Sequence, residues 1–262
     1  MIRNDQFLLT CNVLIATLGD QGHLEHAGIV FDMMLSHAIL PSVGTYSILI
    51  SRSGAWQKID LAEKYFKQLL SSGVRADEYA YNSFINAFAK VGNIEKGLNV
   101  LQSMESIGLR PDVVTFNTLL DACARGGNLV QAKALFDMMT IRGIKPNERS
   151  YSSLIHTTCE AGSVNSSFAI IEHMKSQGVM PTAITYSLVL HSLGMSGDLA
   201  KAFEVLAIMK NNNLSPNVVT MSSLVHNCGR FGYLDLAFSI YSEMVASPAA
   251  ADWPNHITVA LE

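Results

Sequence analysis

The feature that most constrains the fold is a period of 35 residues that runs through the 262-residue chain. Pro111, Pro146, Pro181 and Pro216 follow one another at that spacing. Glycines recur at the same step, at positions 22, 92, 127, 162, 197 and 232. Methionines do so at positions 34, 104, 139, 174, 209 and 244, with Leu69 in the remaining copy. A unit this short buries its apolar surface only against its neighbours, so the period predicts a stacked array.

Each copy has the pattern of two helices joined by a tight turn. In the copy at residues 113–147, the first stripe has the i, i+3, i+4, i+7 spacing of one helix face. It consists of Phe116, Leu119, Leu120 and Cys123. Gly127 interrupts it, and Gly143 with Pro146 marks the end of the copy. The second stripe consists of Leu129, Ala132, Leu135, Phe136 and Met139. We call the two helices of a repeat leading and trailing.

The predicted fold is therefore all-α, an α-solenoid of about seven helix-turn-helix repeats that forms a single array over residues 1–262. The repeats are expected at residues 8–42, 43–77, 78–112, 113–147, 148–182, 183–217 and 218–255. Residues 1–7 and 256–262 have the pattern of partial repeats, so we expect the chain to be a segment of a longer protein.

Two repeats depart from the pattern. Repeat 43–77 has Ala76 where other copies have proline, and it lacks the glycine of the middle turn. Gly54, three residues earlier, is the expected substitute for that glycine. Repeat 218–255 carries three extra residues, which we place at 247–252, in the loop after its trailing helix.

The composition excludes several classes of protein. Although 49% of the residues are hydrophobic, no run approaches the roughly 18 apolar residues of a membrane span. The net charge of −4 means that any nucleic-acid binding must depend on the local placement of Lys and Arg. The four cysteines form no metal or disulfide pattern, and Cys123 and Cys228 are expected to be packing residues. No catalytic motif is present, so we predict neither enzymatic activity nor a cofactor for these residues.

The leading helix has a second side that its packing stripe does not use. Val114, Asn117, Asp121 and Arg125 are spaced by three or four residues, so they share one side of the helix. In a stacked array the corresponding sides of successive leading helices line up. Because packing does not dictate these residues, function is expected on this surface.

The repeat resembles the pentatricopeptide repeat. The resemblance rests on Pro-Asp-Val-Val-Thr-Phe-Asn-Thr-Leu-Leu at residues 111–120, on the late methionine and on a closing Gly-Ile/Leu-x-Pro, and it covers essentially the whole chain. The tetratricopeptide repeat matches less well, because its period is about 34 and neither Trp56 nor Trp253 recurs. The resemblance implies a right-handed superhelix that binds single-stranded RNA, with one base per repeat.

In that family the base is selected by the residue after the aromatic position, here called the helix partner, and by the last residue of the repeat, the terminal partner. The pairs on this chain are Asn12 with Ser42, Ser47 with Asp77, Asn82 with Asp112, Asn117 with Asn147, Ser152 with Thr182, Ser187 with Asn217, and Ser222 with Asn255. All are short hydrogen-bonding side chains, of which an amide suits a pyrimidine edge and a hydroxyl leaves room for a purine. Helix capping alone would also explain a single Asn or Ser here.

By the family's usual correspondence, the resemblance implies the RNA site 5′-C-G-U-(C/U)-N-A-A-3′, running parallel to the chain. The pair of Ser152 and Thr182 implies no definite base, and the insertion before Asn255 perturbs the last pair.

The resemblance also assigns contacts with base faces and with phosphates. Bases stack on the residue two before the aromatic position, and we call these the platform residues: Leu9, Tyr79, Val114, Ile184 and Val219. Gly44 and Arg149 depart from this pattern, so repeats 43–77 and 148–182 are expected to grip RNA more loosely. The position that contacts phosphates is basic at Lys90, Arg125 and Arg230.

Three histidines, His156, His191 and His226, each follow a helix-partner serine by four residues. They are candidates for RNA contacts that strengthen on protonation, and an inert polar surface is the alternative. A shared metal site is not expected, because stacked helices lie about 8–10 Å apart and each ligand must lie about 2.0–2.1 Å from the ion.

Two other functions stay open: a helical scaffold for protein partners, and the RNA-recognition part of a longer RNA-processing enzyme. A scaffold would be expected to have aromatic or charged pockets rather than paired short polar side chains. The resemblance further implies a mitochondrial or chloroplast protein that serves RNA stabilisation, processing, editing or translation. The expected partners are single-stranded RNA and other RNA-processing proteins, with no membrane and no small-molecule substrate.

Overall fold

The computed structural model describes residues 2–246, and within that range it contains fourteen helices and no strand. The helices are α1 (Ile2–Asp20), α2 (Leu24–Ser36), α3 (Val43–Ala55), α4 (Ile59–Ser71), α5 (Glu78–Lys90), α6 (Ile94–Ser106), α7 (Val113–Arg125), α8 (Leu129–Ile141), α9 (Glu148–Glu160), α10 (Val164–Ser176), α11 (Ala183–Ser196), α12 (Leu199–Asn211), α13 (Val218–Arg230) and α14 (Leu234–Ala246). The predicted all-α fold of helix-turn-helix repeats is confirmed. Odd-numbered helices are leading helices and even-numbered helices are trailing helices.

Several sequence predictions concern the ends of the chain. Residues 2–7, read above as the tail of a preceding repeat, belong to the same helix as the first leading stripe, because α1 begins at Ile2. No glycine or proline in that stretch would interrupt the helix. The insertion at 247–252, the terminal partner Asn255 and the partial repeat 256–262 lie outside the described residues.

The helices form two compact units. The first comprises residues 2–126 and 134–145, and in it the leading helices pack in chain order, α1 on α3, α3 on α5 and α5 on α7. The second comprises residues 127–133 and 146–246, and in it α9 packs on α11 and α11 on α13. In both units a leading helix also packs against its own trailing helix, as α3 does with α4 and α11 with α12. The leading helices are therefore the shared element between successive hairpins.

The buried core reproduces the periodic positions of the sequence. The methionine position is at most 2% exposed in every copy: Met34, Leu69, Met104, Met139, Met174, Met209 and Met244. A small residue recurs at the same 35-residue step and is also buried, at most 3% exposed at Ala27, Ala62, Ala132, Ser167, Ala202 and Ala237. Cys123 and Cys228 are fully buried, as predicted for packing residues. No helix in residues 2–246 is long and apolar enough to cross a membrane.

Gly54 does not replace the missing turn glycine, so that prediction is wrong. The middle turn of repeat 43–77 is made by Gln57, which has a φ of +58°. Gly54 instead lies buried inside α3, where a Cβ would stand 2.6 Å from Cβ and 2.8 Å from Cα of Ala87. Its glycine is required because α3 and α5 approach each other closely at this point.

Replacing Gly54 by alanine should therefore destabilise the protein. The added methyl group collides with the backbone of Ala87, and overpacking of this kind costs about 1–3 kcal/mol. The free energy of unfolding, measured by urea denaturation, should fall accordingly.

Gly44→Ala, in the same helix, is the matched control. A Cβ there meets only Ser42 Oγ, at an ordinary 3.5 Å, so the usual helix preference for alanine should keep or raise stability. Equal unfolding free energies for the Gly54 and Gly44 variants would contradict a close approach of α3 and α5.

The buried cysteines should react only slowly with thiol reagents in the folded protein. Burial raises the pKa of the Cys123 thiol to about 11, and it also raises the pKa of Cys159 and of Cys228. Because the thiolate is the reactive form, a thiol reagent such as Ellman's reagent at pH 8 should modify Cys11, which is only half-buried, well before the other three. Full labelling should require denaturant. Rapid reaction of two or more thiols in the native protein would show that the core opens.

Candidate nucleic-acid interface

The platform residues are apolar side chains that stand in solvent. Their exposed fractions range from 56% to 77%, in the order Val114, Ile184, Tyr79, Leu9 and Val219. Except for Leu9, which lies within the longer α1, each is the second residue of a leading helix. The apolar stripe by which these helices pack is buried, as at Phe116, Leu119 and Leu120 of α7, and the platform residues lie outside that stripe. A recurring exposed apolar residue at the helix start is therefore not explained by packing.

The six terminal partners that lie within residues 2–246 form the N-caps of the leading helices that follow them. Asp77, Asp112, Asn147 and Asn217 are exposed, and each accepts a hydrogen bond from the backbone N–H three residues on, at 2.8–3.1 Å. Ser42 and Thr182 are half-buried caps of α3 and α11. Each of these six terminal partners therefore already has a structural role, and it directly precedes the first residue of the helix that it caps.

The helix partners fall into two groups. Most are half-buried at the surface of the leading helices: Asn12, Asn82, Ser152, Ser187 and Ser222. Two are not at the surface. Ser47 is fully buried and donates a hydrogen bond to the carbonyl of Val43, and Asn117 is only 5% exposed. For these two the structure corrects the expectation of an accessible polar side chain, because both side chains are buried.

A position that the sequence analysis passed over connects the two kinds of partner. The third residue of most leading helices carries a hydroxyl, and this hydroxyl contacts the helix partner of the preceding repeat. Thr45 Oγ1 donates to Asn12 Oδ1 at 2.8 Å, and Thr115 Oγ1 donates to Asn82 Oδ1 at 2.6 Å. The recurrent threonine before the aromatic position is the sequence signal that could have identified it.

In the second compact unit, α9, α11 and α13 line a cavity of about 460 Å³. Two platform residues, Ile184 and Val219, lie on it together with the pair of Ser187 and Asn217. The cavity therefore brings stacking and hydrogen-bonding candidates to one place.

The three histidines differ in their surroundings. His156 and His191 line the cavity, whereas His226 is exposed outside it. His156 Nε2 lies 3.6 Å from a carboxylate oxygen of Glu160, and His191 Nδ1 lies 3.0 Å from Ser223 Oγ. Among the described residues, no three His, Cys, Asp or Glu side chains are grouped so as to hold a metal ion.

The three basic residues predicted to contact phosphates also differ in their surroundings. Lys90 and Arg230 are exposed at the ends of α5 and α13, and Arg230 lies 5.6 Å from the ring centroid of Phe231. Arg125, by contrast, donates a hydrogen bond to the backbone carbonyl of Ala89 at 2.9 Å. Part of its guanidinium therefore caps the end of α5, which leaves fewer donors for a phosphate.

Comparison with known proteins gives consistent matches. A family model described as the PPR repeat family matches residues 8–52, 76–125, 111–160 and 186–230. A second model, described as the PPR repeat, matches residues 44–74, 149–179 and 219–247. No curated protein matches the sequence.

Solved structures share the fold. The crystal structure of the pentatricopeptide repeat protein PPR10 from maize superposes with a TM-score of 0.70 at 27% identity, over 92% of this chain and 40% of that one. The same protein in complex with an 18-nt psaJ RNA element gives a TM-score of 0.64 at 22% identity, over 94% and 39% of the two chains. The PPR domain of Arabidopsis thaliana PRORP1 in complex with tRNA gives 0.52 at 18% identity, over 67% of this chain and 95% of that domain. This chain thus spans about two fifths of the length of the maize protein.

Proposed function

Because the chain belongs to the pentatricopeptide repeat family, we propose that it binds single-stranded RNA in a sequence-dependent manner, with one base per repeat. The observation that carries the proposal is the repeated start of the leading helices, where an exposed platform residue stands beside a short polar terminal partner. Val114 beside Asp112 and Val219 beside Asn217 have this arrangement, with exposed apolar and capping polar side chains two residues apart.

The chemistry of this arrangement suits an unstacked base. An exposed apolar side chain offers a surface for the face of any base, and this contact carries affinity without much sequence preference. The polar pair beside it can then donate to and accept from the base edge. The cavity next to Ile184 and Val219 supplies space for such a contact in the second compact unit.

The proposed site is 5′-C-G-U-(C/U)-N-A-A-3′, and the repeats do not support it equally. The third and sixth pairs, Asn82 with Asp112 and Ser187 with Asn217, have half-buried helix partners and exposed terminal partners. The second and fourth pairs depend on Ser47 and Asn117, which must become exposed before a base reaches them. We therefore expect uracil at the third base and adenine at the sixth to be selected most sharply.

The cellular role follows as a proposal from the same family membership. Two of the similar structures are complexes, one with an 18-nt psaJ RNA element and one with tRNA. We propose that this chain likewise recognises RNA in a mitochondrion or chloroplast and serves its processing, stabilisation, editing or translation. This chain is proposed to act by binding RNA rather than by catalysing a reaction.

Exchanging one pair should exchange one base. Asn82→Ser combined with Asp112→Asn gives the third repeat the pair that the sixth repeat carries, so the preferred third base should change from uracil to adenine. Binding of 5′-CGUUUAA-3′ and 5′-CGAUUAA-3′ to both proteins, measured by fluorescence anisotropy, tests this. An unchanged preference would count against the assignment of the pair, and equal binding of all sequences by the unmodified chain would reduce the proposal to a nonspecific surface.

A platform residue should contribute affinity but no selectivity. Val114→Ser removes an apolar contact with a base, and stacking contacts of this kind contribute about 1 kcal/mol at the lower end of their range. RNA binding should therefore weaken about fivefold, by the same factor for RNAs that differ in their third or fourth base. Val130→Ser is the matched control, because Val130 is also an exposed valine at the second position of a helix, the trailing helix α8. Equal effects of the two substitutions would contradict a stacking role for Val114.

A further inference from the structure

A hydroxyl group lies between the two members of a base-selecting pair, although it belongs to neither. Thr45 Oγ1 and Thr115 Oγ1 donate to the amide oxygens of Asn12 and Asn82, as described above. The same contact occurs in the second compact unit, where Thr220 Oγ1 donates to Ser187 Oγ at 2.8 Å. The pattern thus appears in three repeats with two different kinds of helix partner, and a longer contact of 3.4 Å joins Thr185 Oγ1 to Ser152 Oγ in a fourth.

The same hydroxyl also engages the terminal partner. Thr115 Oγ1 accepts from the backbone N–H of Asp112 at 3.2 Å and lies 2.9 Å from Asp112 Oδ1. Thr220 Oγ1 lies 2.8 Å from Asn217 Oδ1. One oxygen therefore joins two side chains that stand on successive leading helices and that the proposed function assigns to one base.

The position of this hydroxyl is well defined. Thr45, Thr115 and Thr220 are at most 5% exposed, and the branched side chain of threonine has few rotamers in a helix. Because Asn82 Oδ1 accepts from the fixed hydroxyl, the Nδ2 group on the other side of the amide is directed away from Thr115. That group is a hydrogen-bond donor, which is what the carbonyl oxygens of uracil require.

One repeat lacks the hydroxyl and serves as a natural comparison. In α5 the corresponding residue is Ala80, and Asp77 is left with the capping bond from the Ala80 N–H at 2.8 Å. The helix partner of that repeat, Ser47, is fully buried and bonds to the carbonyl of Val43 in its own helix. Where the hydroxyl is absent, the pair is therefore not held together.

We propose that the hydroxyl-bearing residue at the third position of a leading helix, as at Thr45, Thr115 and Thr220, is a positioning residue for base selection in the preceding repeat. It fixes the helix partner and the terminal partner relative to each other, and so it determines how sharply one base is preferred over another. This inference rests on the proposed RNA binding and assigns a role to residues outside the base-selecting pairs.

Thr115→Val tests the inference with almost no change of shape. The preference of the full chain for 5′-CGUUUAA-3′ over 5′-CGAUUAA-3′ should fall by about fivefold, the effect expected of one lost hydrogen bond. The preference at the sixth base, which depends on Ser187 and Asn217, should stay as it is. A purely structural role would instead lower the melting temperature and weaken binding of both RNAs equally, leaving the ratio of their affinities unchanged.

Three further variants make the result specific. Thr115→Ser retains the hydroxyl and should keep the preference at the third base. Thr118→Val makes the same chemical change one turn later in α7, where the hydroxyl bonds only to the carbonyl of Val114, and it should leave the preference intact. Ala80→Ser adds the missing hydroxyl, which Ser150 shows a leading helix can bury, and it should raise the preference for guanine at the second base about fivefold.

The outcomes separate the inference from the proposed function. If the unmodified chain shows no preference at the third base, the proposed one-base-per-repeat recognition fails, and the positioning role fails with it. If the unmodified chain prefers uracil and Thr115→Val keeps that preference, only the positioning role is overturned. Loss of preference in Thr115→Val but not in Thr115→Ser or Thr118→Val supports both.

Discussion

The structure depends on the burial of apolar stripes that no single hairpin can hide. Residues such as Met34, Met104 and Met174 are almost fully buried, and each buried side chain of this size contributes about 1.5–3 kcal/mol. Within each compact unit a leading helix meets neighbours before and after it, which leaves little of its surface free. The exposed part includes the first turn, where Tyr79 and Val114 stand in solvent. Packing thus determines which positions are exposed for recognition, but it does not determine which side chains occupy those positions.

The start of each leading helix contributes to stability and is also the proposed site of RNA recognition. Asp112 begins α7 by accepting from the Thr115 N–H, and it is also the residue proposed to read a base. Short polar side chains are favoured at such positions for capping alone. Capping therefore narrows the choice of terminal partner to a few residue types, and base selection acts within that set. The polar pairs of this chain, which contain only Asn, Asp, Ser and Thr, fit both requirements.

What the sequence predicted and what it missed have a common physical explanation. The period and the apolar stripes are local patterns, so the helices and the buried Met positions could be predicted directly from them. The platform residues were assigned only through the family resemblance. The role of Gly54, the burial of Ser47 and the bond from Arg125 to Ala89 each depend on the distance between two helices in different repeats. A one-dimensional pattern does not contain those distances. The threonine of the hydroxyl contact was visible as a recurrent residue, but its partner lies 33 positions away along the chain.

The capping of each leading helix by the last residue of the preceding repeat has a consequence for modularity. A base-selecting pair is completed only when another hairpin follows, because its second member is anchored on that hairpin's first turn. The unit that selects a base therefore extends beyond the hairpin that carries its helix partner, as far as the N-cap of the next leading helix. A hairpin moved together with its own N-cap would separate the two members of a pair at each junction, whereas a segment from the first residue of a leading helix to the terminal partner, such as residues 113–147, would move one complete base-selecting pair.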